Sequence, residues 1–343
     1  MLEARGSGVR MARGGGSLEG MHMIDLSKLK NPLDWLQGRK EIESSVLQTL
    51  GKLPKQRPEL QLKTVDEESF PGYVRKRVNY FVSDWERITS WVFQPEGKDL
   101  SPAVVCCHSE TPAGKAEPAG LTGNRLMALA QHYAELGFVT IASDSAMAGE
   151  RISPGKDAYD TTNFYKDWPK GSLLGKMMWD YTCALDVLAD MPGVDVSRMG
   201  VVGHGLGGTS ALLLAAFDER IQVCVASCGF TRFHDDKNPG RWVQDGDCAM
   251  LPGLEEAVAA KTFPFDWEHV LALAAPTPTL LLTALNDETL ANTKSCQKAV
   301  DAAKNVYRML GAEAALENWP HKGGRTLTVE ALDVADAWFE RWI

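Results

Sequence analysis

The chain has 343 residues, 44% of them hydrophobic and 24% charged, and carries a net charge of −9. That is ordinary globular composition with material for a large core, in one domain or two. The acidic balance speaks against a nucleic-acid partner, which needs a basic face, and no run of roughly eighteen apolar residues exists to span a membrane as a helix.

The first residues, 1–22, are Gly-rich and lack an apolar signal core, so they are expected to be a disordered leader or an upstream start choice. The domain proper is expected over 23–343. The seven cysteines are odd in number and follow no framework spacing, which suits free thiols in a reducing cytoplasm. No CxxC, HExxH or close His/Cys cluster suggests a metal, and no cofactor is expected.

In chain order, residues 31–51 read as short helices between Pro32 and Gly51, and residues 60–94 as antiparallel strands. The pattern then changes. Ala103 to Cys107 is a continuous apolar run, as a parallel strand buried on both faces requires. Residues 124–136 form an amphipathic helix, 138–142 a strand, and Ser172 to Met191 a long helix with an apolar stripe. A short strand at 199–202, a helix at 208–217 and strands at 221–226 and 279–283 follow. A helix at 292–310, a strand at 315–319 and a terminal helix at 327–342 complete the series. Such alternation predicts an α/β fold with a mostly parallel, doubly wound sheet preceded by antiparallel strands. Residues 231–270 interrupt it with weakly periodic, Trp- and Pro-containing sequence, the expected place for a small lid insertion.

Between the strand at 199–202 and the helix at 208–217 stands Gly203-His204-Gly205-Leu206-Gly207-Gly208. This is the strand–turn–helix context of the G-x-S-x-G nucleophile elbow, where the residues two before and two after the nucleophile must be very small. The backbone N–H of Leu206 would then point into an oxyanion hole. The bland alternative is a phosphate-cradling glycine turn. It is disfavoured because the turn comes late in the chain and no Gly-Lys-Ser/Thr follows.

In this architecture the acid follows a later strand and the histidine comes last. Asp287 lies just after the strand at 279–283, with Glu288 as competitor, and His321 follows the last strand. Asp287 and His321 are therefore expected as acid and base, hydrogen-bonded, with the imidazole facing Gly205. His204 is expected to be structural. His22, His132, His234 and His269 show no chemical spacing. His108 marks the loop after the strand at 103–107, which would supply the second oxyanion donor, the N–H of Ser109 or Glu110.

These residues resemble a known group. Gly203–Gly208 is similar to a GHSLGG elbow with Gly205 in place of serine. Cys107-His108-Ser109, Gly114–Leu121, and Ala215–Ile221 through Phe230 resemble the dienelactone-hydrolase-like and acetylxylan-esterase-like α/β-hydrolases. The resemblance runs from about residue 60 to the end. It implies an α/β-hydrolase fold and a carboxylesterase or acetylesterase of Ser-His-Asp type, acting on a small or carbohydrate-linked ester. Glycine at 205 departs from it at the nucleophile itself, so the chain is expected to be inactive or nearly so. Three explanations stand open: an engineered inactive variant, a natural non-catalytic binding protein, or a water activated by His321. Serine at 205 would be expected to create ester hydrolysis. It would also be expected to lower stability, because the elbow strains a residue with a Cβ.

Overall fold

The computed structural model describes residues 23–97, 100–290 and 293–343. The expected leader, 1–22, and His22 lie outside the described residues.

Helix α1 (Pro32–Leu50) is one continuous helix, not several short ones; the Asn31 side chain caps it by accepting from Leu33 and Asp34 N–H. Three antiparallel strands follow: β1 (Lys63–Phe70), β2 (Tyr73–Phe81) and β3 (Arg87–Pro95). Then come β4 (Ser101–Cys107), α2 (Leu129–Glu135), β5 (Val139–Ser143), α3 (Phe164–Asp167), α4 (Leu173–Asp190), β6 (Val194–His204), α5 (Leu206–Phe217) and β7 (Ile221–Ser227). The insertion carries a two-stranded ribbon, β8 (Gln244–Asp245) with β9 (Cys248–Ala249), and α6 (Glu255–Ala260). The chain closes with α7 (Trp267–Ala274), β10 (Thr279–Ala284), α8 (Thr293–Met309), β11 (Leu316–His321) and α9 (Val329–Trp342).

Among the described residues the main sheet runs β1-β2-β3-β5-β4-β6-β7-β10-β11, antiparallel through β3/β5 and parallel from β5 onward. This is the α/β-hydrolase architecture. Alternate residues of the central strands feed two cores. Ala103, Val105 and Cys107 face the helices α4, α5, α7 and α8. Val104 and Cys106 face α2 and α9, where Tyr133 packs on Phe339. Burial on both faces explains why these strands read as unbroken apolar runs. No helix among the described residues is long and apolar enough to cross a membrane.

Segment 231–270 does not lie apart from the body. Phe233, Trp242, Leu251, Phe263 and Phe265 are buried in the larger core, and Phe233 and Trp242 pack with tilted rings against Trp267 at the start of α7.

Two loops at the carboxyl ends of β4 and β5 are locked together by Asp144. Its carboxylate accepts from Lys115 N–H and Glu150 N–H and pairs with the Lys115 ammonium; both side chains are almost fully buried. Gly114 and Gly149 have positive φ, and a Cβ on either would collide with the Asp144 carboxylate. Arg151 donates to the Asp144 carbonyl and pairs with Asp180 and Glu86.

Removing one member of a buried pair leaves the other charge uncompensated, at a cost of about 3–5 kcal/mol. Asp144→Ala is expected to lower unfolding stability by that order in a urea titration; a loss under about 1 kcal/mol would show that Lys115 finds full compensation in Glu150.

Candidate active site

The turn between β6 and α5 follows from its glycines. A Cβ on Gly203 would strike the Gly207 carbonyl, and one on Gly207 would strike the carbonyls of Cys107 and His108. Gly205 sits at φ +57°, ψ −124°, a conformation in which a side chain is strained. Its N–H donates to Ser227 O at 2.8 Å. Gly205 thus stands at the apex of a tight strand-to-helix turn, the place where the sequence pattern led a nucleophile elbow to be expected.

The space above that apex is filled. Glu110, from the loop after β4, lays its Oε2 where a side chain at 205 would begin, and a Cβ built there would collide with it. The same oxygen accepts the Leu206 N–H at 2.9 Å. The N–H expected to serve an oxyanion thus serves a carboxylate of the chain itself. The positive end of α5 favours this anion.

Arg325, in the loop after β11, holds Glu110 from the other side. Its Nε and Nη2 donate to Glu110 Oε1 at 2.8 and 2.7 Å, and its Nη1 reaches Asp287 Oδ2 at 3.1 Å and Cys228 O at 2.9 Å. Burial pushes the Glu110 carboxyl up, but the Arg325 guanidinium and the Leu206 N–H more than offset that and hold it below the ordinary value.

Asp287 is buried. Its Oδ1 accepts from Thr289 and Leu290 N–H, and its Oδ2 takes Arg325; Glu288 is exposed. The hydrogen bond expected between Asp287 and His321 is absent. The His321 Nδ1 accepts from Gly323 N–H at 3.2 Å, its Nε2 is buried without a partner, and it is not among the cleft-lining residues. Burial lowers its pKa, partly countered by Asp287. Arg325, not His321, stands between the acid and the elbow. The expectation that serine at 205 would create hydrolysis rested on Asp287, His321 and Leu206 standing in matching places; in this structure Asp287 is engaged by Arg325 instead.

Ser109, the other expected oxyanion donor, gives its N–H to Glu117 Oε2 at 3.0 Å, and its hydroxyl donates to the same carboxylate. His204 lies at the cleft floor, its Nδ1 2.9 Å from Ser227 Oγ. Burial and Arg325 push its pKa down to about 4, so it is neutral at pH 7. His108 is buried against Ser145.

These groups open on a cleft of about 290 Å³ lined by Glu110, Glu117, Asn124, Met127, Arg325 and Thr326 among others; no residue of 231–270 contributes. Two carboxylates, Glu110 and Glu117, thus face it with one guanidinium. The side chains of Glu110, Glu117 and Arg325 carried no periodic signal. The available hint was Lys322-Gly323-Gly324-Arg325, a cation that follows a glycine pair in the loop after β11. No group of three or more His, Cys, Asp or Glu among the described residues could hold a metal ion.

Arg325→Gln is expected to destabilise the fold by about 3–5 kcal/mol, since Asp287 would be left buried and unpaired. It should also change the acid response. Glu110 has a folded pKa below its unfolded one. Its pairing therefore contributes fully above about pH 4.3, and the contribution is lost as pH falls through the lower folded value. Urea midpoints measured from neutral pH down to about 3 should fall less steeply for Arg325→Gln; parallel curves would exclude the pair as the source.

Known proteins share this frame. The Dienelactone hydrolase family model matches residues 89–244. YtaP of Bacillus subtilis (strain 168), provisionally described as a hydrolase, is 24% identical over 315 residues, 89% of this chain and 100% of that one. A glucuronoyl esterase from Solibacter usitatus superposes with a TM-score of 0.74 at 14% identity, covering 95% of this chain and 98% of that chain. A promiscuous CE15 esterase from a marine bacterial metagenome gives 0.71 at 16%, covering 96% and 98%. Such identities speak for fold alone. The chain has the α/β-hydrolase fold, and the stretch carrying its elbow and Glu110 matches the dienelactone hydrolase family.

Proposed function

We propose that this chain is a carboxylic-ester hydrolase in frame, of Ser-His-Asp ancestry, whose cleft takes a small or carbohydrate-linked ester without forming an acyl-enzyme at residue 205. The family match and the esterase neighbours support the ester class. The observation that carries the rest is the Glu110 carboxylate on the Leu206 N–H, in the place where a serine side chain would stand.

A bound ester would present its carbonyl oxygen to Leu206 N–H and Arg325 as Glu110 swings aside. Glu110 and Asp287 already outnumber Arg325, so a neutral ester suits the cleft better than its anionic acid. The pairing of Arg325 with both carboxylates favours a natural departure from the triad over a single engineered replacement. A serine lost alone would leave the acid and histidine paired.

The test uses p-nitrophenyl acetate and methyl glucuronate. Methyl glucuronate should raise the melting temperature more than glucuronate does. Rapid mixing with p-nitrophenyl acetate should give no stoichiometric burst of nitrophenolate; a burst that labels residues of the elbow would overturn the proposal.

Gly205→Ser is expected to unfold at lower urea than the parent. The strained apex costs about 1–3 kcal/mol, and the new side chain must also displace Glu110 from Leu206. A higher midpoint would mean that the apex is unstrained.

A further inference from the structure

The mechanism of an ordinary triad leaves Glu117 without a task, yet its surroundings are those of a working group. It lines the same cleft as Glu110 and Arg325. Its carboxylate is oriented by two donors from one residue, the N–H and hydroxyl of Ser109. No Lys, Arg or His among the described residues forms an ion pair with it, whereas Glu110 is tied to Arg325 through the Nε and Nη2 of one guanidinium edge. The charged groups that face it are Glu110 and Arg325 across the cleft, and His204 on the floor is neutral. Two carboxylates stand in one cleft with different surroundings. One is neutralised by a guanidinium; the other is oriented by hydrogen bonds and free of a counter-ion.

We propose that Glu117 is the proton-transferring group of this cleft, activating a water for direct attack on a bound ester. This deepens the preceding reading and rests on it. Glu117 takes a proton from water as the water oxygen forms its bond to the ester carbonyl carbon. The carbonyl π pair moves onto the carbonyl oxygen, which accepts from Leu206 N–H and Arg325 in the place Glu110 leaves. Collapse of the tetrahedral adduct breaks the bond to the alkoxide, which takes the proton back from Glu117. Ester and water become acid and alcohol, and the carboxylate is regenerated with no covalent enzyme intermediate.

Burial and the charge of Glu110 push the Glu117 carboxyl above its ordinary value, against the pull of Ser109. A base of this kind works as its carboxylate, so the rate should rise with pH through an inflection above the ordinary glutamate value of about 4.3.

The experiment follows methyl glucuronate and p-nitrophenyl acetate hydrolysis across pH for the full chain, Glu117→Gln and Glu110→Gln. The glutamine at 117 keeps an acceptor for Ser109 N–H but cannot take a proton. Its kcat should fall on the order of 10²- to 10⁴-fold with KM nearly unchanged and the inflection gone. Glu110→Gln should move the inflection to lower pH by removing a neighbouring negative charge. Equal kcat and an unchanged pH profile in Glu117→Gln would overturn the proposal, as would no turnover of either ester by the parent chain. If methyl glucuronate still raises the melting temperature in that case, the ester-binding reading stands without it. If binding is also absent, that reading fails as well.

Discussion

The arrangement at the elbow hangs on one contact: the Glu110 carboxylate held between the first N–H of α5 and the Arg325 guanidinium. A helix that begins at a glycine has no side-chain cap of its own, and its leading N–H groups call for an anion. Glu110 answers that demand from another loop. Its charge in turn calls for a cation, and Arg325 reaches it from the loop after β11. With its remaining nitrogen Arg325 satisfies Asp287, and the histidine that would ordinarily take that acid is left against Gly323. The absence of a side chain at 205 and the rerouting of the acid are thus parts of one electrostatic arrangement.

The supporting layer lies one loop deeper. Glu110 and Glu117 belong to the segment that Lys115 and Asp144 lock to the carboxyl end of β5. Glycines at 114 and 149 allow that carboxylate to sit against the backbone. Groups held on such a segment lose little freedom when a ligand arrives, which is how a preorganised site keeps its binding energy. The same buried pairs are poor sources of net stability and strong sources of fixed geometry in this loop.

Much of the fold was legible because the central strands are covered on both faces, which leaves unbroken apolar runs such as 103–107 and 279–283. At the edge that signal fades. The alternation at Leu60–Leu62 pointed a few residues early, and the strand is Lys63–Phe70, polar and almost wholly exposed. The helix expected over 124–136 is only 129–135, because Asn124 caps a separate short turn over 125–127. In the site, the tight turn after β6 was legible from its small residues, and Asp287 was singled out by its place after β10, where it is buried. The Glu110–Arg325 pair was not. Its partners lie 215 positions apart in sequence, and an ion pair leaves no periodicity behind. His321 occupied the expected position in the chain order, as the last residue of β11, and is buried there, but order alone does not fix which partner a side chain finds: Arg325 reaches Asp287 first.

The surplus of carboxylates over guanidinium around the elbow bears on what happens after a bond is cut. In the proposed hydrolysis a neutral ester would become an anion in the cleft that Glu110 and Glu117 line, and like charges in a partly dry cleft repel. The acid fragment would be pushed outward while Glu110 returns to Leu206 and Arg325, resealing the donors it had vacated. The chain's own carboxylate would then compete with the product for the same hydrogen bonds. Such a cleft resists product inhibition and disfavours the reverse, ester-forming direction, without any moving lid.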